Sequence, residues 1–184
     1  MLKKLIIGFC LAVFVLSYSS VFAKGVTSEE EYTFGSMTTY EMFWPIVAGK
    51  VPGDKLYSLK LWRDKLASFF FFDKVKKSEY LKQLANKRLV EAEKLIEIKR
   101  YSLVPQTLEE SSKNLEGGST LLFSAEETPQ TLWLKDEYRK DLKKHFIVLE
   151  RMKEKVEESQ KLMIADFVKK LDSLIAKYFL VIEK

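Results

Sequence analysis

Apolar side chains recur at three- and four-residue spacing after a turn near residue 50, and this spacing predicts the first helix. In the turn, Pro52 sets φ at the second position, and Gly53 supplies the positive φ that a type II turn requires next. Asp54 is placed to cap the helix, which we expect over residues 55–71, because its carboxylate can accept from free backbone N–H groups. The apolar face of this helix, predicted to face the core, comprises Leu56, Leu59, Trp62, Leu66 and Phe69.

Similar signals predict the second and third helices. Tyr57 and Trp62 are predicted core residues where the first two helices meet. Asp73 is a candidate N-cap for a second helix over residues 74–99. Pro105 suits the first turn of a third helix. The solvated side of the second helix is predicted to carry Glu79, Lys82, Lys87, Glu91, Lys94 and Glu97.

Two local runs interrupt the helical pattern. Four consecutive phenylalanines at residues 69–72 cannot share one helix face, so we expect a corner that is buried from several sides, with a ligand pocket as the alternative. Gly117 and Gly118 are expected to end or kink the third helix, since glycine costs about 1 kcal/mol in a helix interior. Residues 51–127 therefore predict a helical domain built as a hairpin or small bundle.

The last predicted element is a long helix over residues 128–184. Thr128 supplies a capping hydroxyl and Pro129 the first helical residue, and neither glycine nor proline follows. Either this helix projects and pairs with another chain as a coiled coil, or it folds back near Ser159, which interrupts the apolar stripe. We expect the projecting helix, with residues 163–182 in contact with a second copy or a client protein. The predicted anchors of that contact are Phe167, Leu171, Leu174 and Tyr178.

Residues 1–23 have the order of regions that is typical of a signal peptide. Two lysines precede an apolar run of about a dozen residues, and small or compact residues lead up to Ala23. We expect cleavage after Ala23, with an uncleaved membrane anchor as the alternative. Residues 24–50 then form a tether and an aromatic extended segment. That segment is predicted to lie as a strap in a groove of the chain's own helices, or else to act as a peptide-like docking or membrane-surface segment.

Charge and candidate chemistry change this picture little. The net charge of +5 falls to about +3 without the two leader lysines, and so mild a balance does not indicate a nucleic-acid partner. The one cysteine, Cys10, lies in the leader, so no disulfide is expected. The single histidine, His145, is expected at or near the surface and lacks the partners of a zinc or haem site. Carboxylate pairs such as Glu109-Glu110 are expected on solvated faces. We therefore expect no enzymatic activity, no metal and no cofactor.

Several short motifs follow one another in order after residue 51. They are Pro-Gly-Asp-x-Leu-Tyr-x-Leu-Lys from Pro52, Arg63-Asp64-Lys65, Phe72-Asp73, Lys76-Lys77 and Leu84-Ala85-Asn86-Lys87-Arg88-Leu89-x-Glu91-Ala92. Together they resemble domain-of-unknown-function family 5667 over about residues 45–116, with Lys55 and Lys74 in place of two prolines that the family often has. The resemblance implies a bacterial, helical protein placed beyond a signal peptide or membrane helix. The family has no established activity, so the resemblance implies no site residues.

These patterns predict an all-α protein with a short N-terminal extended segment, a helical hairpin or bundle and a long C-terminal helix. The expected function is that of an exported, non-enzymatic interaction, scaffold or holdase-like module of the cell envelope. Its expected partner is another protein or a second copy of itself. One alternative is a membrane-anchored regulatory or sensory domain, and a weaker one is an envelope hydrolase. A membrane contact is expected only through an uncleaved N-terminal segment.

Overall fold

Six α-helices and no strands make up residues 37–179, the part of the chain that this computed structural model describes. The all-α prediction is confirmed for these residues. The predicted signal peptide and the first part of the tether lie outside them. In chain order the helices are α1 (Thr39–Met42), α2 (Tyr57–Phe69), α3 (Lys74–Glu97), α4 (Val104–Phe123), α5 (Pro129–Glu154) and α6 (Glu158–Tyr178), with a 3₁₀ turn at Tyr101–Leu103 before α4.

Three of the predicted helix starts are confirmed. The Asp73 side chain accepts from the backbone N–H three residues further on, at the start of α3. Thr128 does the same for α5, with Pro129 as its first residue. Pro105 lies in the first turn of α4. Each of these residues satisfies or removes a backbone N–H that has no partner inside the helix, so the chain marks these starts locally.

The turn before α2 is as predicted, but its cap is not. Gly53 has a φ of 87°, and the Asp54 N–H donates to the Val51 carbonyl at 3.0 Å. The Asp54 carboxylate does not cap α2, because it accepts from the Val51 N–H and from Arg100. Leu56, in the left-handed region at φ 69°, precedes α2 without a side-chain cap. Asp54 therefore ties the turn to the segment that follows α3.

Four helices surround the hydrophobic core. α3 and α4 form a hairpin with the most extensive helix–helix contact, and α5 and α6 each pack against that hairpin and against one another. Leucines at helical spacing supply most of the interior, which is the arrangement of a helical bundle. The largest fully buried side chains are Tyr138, Leu89, Leu95, Leu108, Leu115, Leu122, Leu134, Leu142, Leu149, Met152, Ile164 and Leu171.

Helix α4 runs without interruption through Gly117 and Gly118, so the predicted helix end or kink is wrong. The reason for one glycine lies on a neighbouring helix. A Cβ at position 118 would lie 2.0 Å from the Tyr138 hydroxyl. Tyr138 is fully buried on α5, and its hydroxyl donates to the Ser78 carbonyl of α3 at 2.8 Å. Gly118 therefore makes room for a tyrosine where three helices meet.

The region after residue 128 forms two helices, so the projecting helix is wrong and the fold-back alternative is confirmed. α5 ends at Glu154 and α6 begins after Glu157. The Gln160 side chain accepts from the Glu157 N–H at 3.0 Å, which satisfies one of the free donors at the new helix start. The break lies within a few residues of Ser159, where the apolar stripe is interrupted.

The four predicted partner anchors lie on α6 and pack within the same chain. Phe167, Leu171 and Leu174 are 3%, 0% and 6% exposed. Tyr178 is half-buried, and its hydroxyl lies 2.8 Å from the Thr120 hydroxyl of α4. Because α6 folds back onto α4 and α5, its apolar stripe is covered internally. These residues serve the chain's own core in this fold, and a contact with a second copy or a client protein through them stays a prediction.

Residues 37–50 lie as a strap, as predicted, and contain the short helix α1. Met42 and Phe43 are buried in the main core, and the Phe43 ring meets the His145 ring edge-on at 5.6 Å. Tyr40 and Trp44 stay half exposed. Among residues 37–179, no helix combines the length and the apolar composition that a membrane crossing requires.

Candidate functional site: the outward face of α2

Helix α2 packs against α3 with its polar side. Its buried residues are Tyr57, Asp64 and Ala67, and the Lys60 side chain beside them is only 12% exposed. Positions 57, 60, 64 and 67 are separated by three or four residues, so they share one helix face. Three of the four side chains carry a charge or a hydroxyl group. This helix therefore buries the side that its amphipathic pattern would leave in water.

Buried charges on α3 receive that polar side. The Arg88 guanidinium donates to both carboxylate oxygens of Glu91 at 2.6 and 2.8 Å. It also donates to Asp64 of α2 at 2.8 Å. The Tyr57 hydroxyl donates to Glu91 at 2.8 Å, and the Lys60 ammonium lies 2.6 Å from the same carboxylate. We call these five side chains the clamp, since they join α2 to α3.

The environment keeps the Asp64 carboxyl ionised and the Tyr57 hydroxyl protonated. Burial alone would raise the pKa of the Asp64 carboxyl, but hydrogen bonds from Arg63 and Lys87 outweigh it and lower that pKa below its usual value. Burial and the nearby Glu91 carboxylate raise the pKa of Tyr57, so its hydroxyl remains a hydrogen-bond donor. Removing one partner of such a buried ion pair typically costs about 3–5 kcal/mol. The clamp therefore fixes the rotation of α2 about its own axis.

The opposite side of α2 presents apolar side chains to solvent. Leu59, Trp62 and Phe69 are 58%, 61% and 72% exposed. In the loop that follows, Phe70 and Phe72 are 56% and 89% exposed. We call these five side chains the outward face. A group of large apolar side chains in contact with water marks an interaction site in most soluble proteins.

This orientation overturns several predictions about α2. Trp62 is not a core residue, and Leu56 and Leu59 do not face the core. The phenylalanine run at residues 69–72 is not a corner buried from several sides, although Phe71 is partly covered and stacks near the Tyr80 ring. Tyr57 is buried, as predicted. The physical reason is that Arg88 and Glu91, the clamp residues of α3, bind the polar side of α2.

The position of His145 also differs from the prediction. Its side chain is fully buried rather than near the surface. Nε2 lies 2.8 Å from the Asn86 side-chain oxygen, while the Asn86 amide donates to Asp141 at 2.7 Å. Since an amide oxygen only accepts, Nε2 carries the proton and Nδ1 is unprotonated. Nδ1 has no hydrogen-bond partner. Burial lowers the His145 pKa to about 4, so the ring is neutral at pH 7.

Chemistry of other kinds has little support in the described part of the chain. No group of three histidine, cysteine or carboxylate side chains within residues 37–179 could hold a metal ion. The His145 network is closed to solvent, so a substrate has no route to its ring. Two surface grooves are present, one beside α1 and one between α4 and α6, and no residue of α2 lines either of them. The outward face is the strongest candidate for a functional surface.

The family comparison covers this surface. The family described as domain of unknown function (DUF5667) matches residues 49–159. The chain belongs to this family. The match confirms the resemblance noted in the motifs and extends it through α5, so that the clamp, the outward face and the His145 network all lie within the family's domain. No curated protein and no solved structure matches the chain.

Sequence reasoning missed the clamp, although a signal for it exists. Lys87, Arg88 and Glu91 bring three charges to about one turn of α3. Asp64 and Tyr57 present complementary groups at a seven-residue spacing on α2. Two polar stripes that each carry both signs of charge, on consecutive helices, indicate a packed ionic interface as readily as two solvated faces. Glu91, predicted on the solvated side, is fully buried.

Proposed function

We propose that this protein is a non-enzymatic binding module of the cell envelope, with the outward face of α2 as its binding surface. The observation that carries the proposal is the orientation of α2, which holds its polar side against α3 and leaves its apolar side in water. The envelope location rests on the signal-peptide pattern of residues 1–23.

Folding leaves the outward face in contact with water, so a partner that buries it gains free energy. Fully burying one large apolar side chain is worth roughly 1.5–3 kcal/mol. The outward face holds five such side chains, each more than half exposed. A partner that covers part of this area gains several kcal/mol from the hydrophobic effect, from which the cost of association is subtracted.

The clamp makes this exposure a fixed property of the fold. For α2 to turn its leucine and aromatic side chains inward, Asp64 and Tyr57 would have to leave Arg88 and Glu91. That rotation would leave buried charges without partners, and the cost of about 3–5 kcal/mol opposes it. The binding surface is therefore ready before the partner arrives, which lowers the entropy cost of association.

Site-specific photo-cross-linking in the producing cells tests this proposal. Trp62 is replaced by a photoreactive phenylalanine analogue in one variant, and Trp133 is replaced in the control. The control residue lies on α5 and is 52% exposed, close to the 61% of Trp62. The expected result is an adduct with another molecule from position 62 but not from position 133, detected by mass spectrometry of the purified chain.

Two results would overturn the proposal. One is an equal adduct yield from positions 62 and 133, because the outward face would then be no more engaged than any other exposed aromatic site. The other is cross-linking from position 62 only to residues of the same chain, because the surface would then be covered by an internal segment. Circular dichroism of both variants checks that the helical fold is retained.

A further inference from the structure

The exposed charges beside the outward face are predominantly positive. Lys55 before α2, Lys65 on α2 and Lys76 at the start of α3 are exposed, and none of the three forms an ion pair within residues 37–179. At about 100° per residue, Arg63 and Lys65 lie on opposite sides of Trp62, so basic side chains border the apolar stripe on both edges. Long basic side chains can lie along apolar surface and extend their charge beyond it.

The carboxylates in this stretch are all engaged elsewhere. Asp54 accepts from a backbone N–H and from Arg100. Asp64 is buried in the clamp, and Asp73 caps α3. Between residues 55 and 77, Asp73 is the one exposed carboxylate, and the exposed basic side chains outnumber it. The surface combines exposed tryptophan, phenylalanine and leucine side chains with an unbalanced positive charge.

We propose that the occupant of the outward face is the surface of a membrane that contains anionic phospholipids. This inference rests on the proposed function and names the class of its partner. Amphipathic helices that lie in a membrane interface carry tryptophan, phenylalanine and leucine on one face and lysine or arginine beside it. In this protein, Trp62, Phe69 and Phe72 enter the boundary between headgroups and acyl chains, and Lys55 and Lys65 contact lipid phosphates.

Charge favours lipid over a second copy of the chain. Two copies joined through the outward face would bring Lys55 and Lys65 of each copy close to the same residues of the other, and like charges oppose such a contact. An anionic bilayer reverses the sign of that interaction. The clamp also suits this role, because α2 keeps its polar side on the protein and needs no rearrangement to lie flat on a lipid surface.

Vesicle binding by the purified full-length chain tests the inference. The probes are vesicles of phosphatidylcholine alone and vesicles that contain about 30% phosphatidylglycerol, which supply the negative surface potential that attracts lysines. We expect binding to the anionic vesicles that weakens strongly as the salt concentration rises, because exposed charges are screened. Every variant carries the same N-terminus, so differences between variants report on α2 and not on residues 1–23.

Matched substitutions separate the outward face from general hydrophobicity. Trp62→Gln is expected to weaken binding about tenfold, since it removes a large apolar side chain from the interface. Trp133→Gln, at a comparably exposed position on α5, is expected to leave binding unchanged.

Lys55→Gln/Lys65→Gln is expected to weaken binding by about fivefold per lysine. The control for this double variant is Lys143→Gln/Lys169→Gln, which removes two exposed lysines, one on α5 and one on α6. Thermal melts are expected to be similar for all four variants because the replaced side chains are exposed.

Fluorescence provides an independent readout of insertion. In a Trp44→Phe/Trp133→Phe background, Trp62 is the one remaining tryptophan of the chain. Its emission is expected to shift to shorter wavelength when anionic vesicles are added, because the indole leaves water. An unchanged emission spectrum on bound vesicles would contradict the inference, since the protein would then attach through another surface.

Other outcomes separate this inference from the proposed function. Equal binding to both vesicle types, or equal losses from Trp62→Gln and Trp133→Gln, would overturn the lipid inference. If the wild type binds no vesicles while position 62 cross-links to another protein in cells, the lipid inference fails and the proposed function stands. If vesicle binding and cross-linking both fail, or cross-links join position 62 to the chain's own acidic segment at residues 29–31, both are wrong.

Discussion

At the scale of single residues, the polar groups buried in this bundle are held by specific partners. Asp141 is 4% exposed and accepts from the Asn86 amide and from Lys144, while the Lys82 ammonium lies 3.1 Å away. These contacts offset the burial of the carboxylate, and its pKa is lowered. The exceptions among the described residues are Arg88 Nε, Ser119 Oγ and His145 Nδ1, which are buried without a hydrogen-bond partner. Protonation of His145 would add a positive charge on a fully buried ring whose Nδ1–H would have no acceptor.

We therefore expect the stability of the protein to fall as the pH drops from about 6.5 to about 4. The unfolded chain binds a proton on His145 near pH 6.5, while the folded chain resists protonation until about pH 4. The free energy of unfolding is then roughly 3 kcal/mol lower at pH 4 than at pH 7, at about 1.4 kcal/mol per pKa unit. Urea unfolding at a series of pH values measures this change.

The control is His145→Gln, which keeps a donor for the Asn86 oxygen but does not titrate. Its free energy of unfolding is expected to change little between pH 6.5 and pH 5, because the lowered pKa values of Asp64 and Asp141 affect stability at lower pH. A wild type and variant with the same slope in that range would show that another group causes the loss.

At the scale of single elements, each helix takes its orientation from the partner it meets. Helix α2 carries an apolar stripe and a polar stripe. Arg88 and Glu91, the two clamp residues of α3, bind the polar stripe. Helix α4 contains two glycines that would weaken it in isolation. Gly118 is needed there because the Tyr138 side chain of α5 occupies the space beside it. In both helices, the contact between elements outweighs the local preference of the sequence.

The two glycines of α4 are expected to respond to alanine in opposite ways. Gly118→Ala should destabilise the protein by about 1–3 kcal/mol, because its Cβ overlaps the buried Tyr138 hydroxyl. Gly117→Ala should stabilise it by about 0.5–1 kcal/mol, since its Cβ would meet Leu81 at an ordinary 3.6 Å and alanine favours the helix. Thermal and urea unfolding of both variants test the pair. Equal effects at the two positions would contradict the packing argument.

At the scale of the whole molecule, the core is closed by the return of α6. Without the break after Glu154, the apolar stripe of α6 would extend away from α4 and remain in water. With the break, Leu171 and Leu174 complete an interior that α3, α4 and α5 leave open on one side. The outward face of α2 remains in contact with solvent.

Leu171→Asp is expected to unfold the entire bundle rather than only its last helix. The side chain is fully buried, and an unpaired carboxylate in that position costs several kcal/mol. The loss should appear as a single cooperative decrease in helical circular dichroism at 25 °C. Leu162→Asp, at a 72% exposed position of the same helix, is the control and should melt like the wild type. A Leu171→Asp variant that retains α1 to α5 would show that α6 folds separately.

The sequence by itself determined the all-α class and several helix boundaries, because the signals are local. Asp73, Pro105, Thr128 and Pro129 act on backbone groups within one turn, so their effect does not depend on the rest of the fold. Apolar spacing likewise identified the stripe of α2 that became the outward face. The family motifs located the domain that contains it.

Only the tertiary structure decided which stripe of α2 faces inward and where the last helix turns back. An amphipathic pattern gives two faces, but the face that is buried depends on what the neighbouring helix offers. Here Arg88 and Glu91 are themselves buried charges, and burying them is favourable only if Tyr57 and Asp64 complete their hydrogen bonds. Those partners are more than twenty residues apart in the chain. The free energy that selects the orientation of α2 therefore belongs to the contact and to neither helix alone.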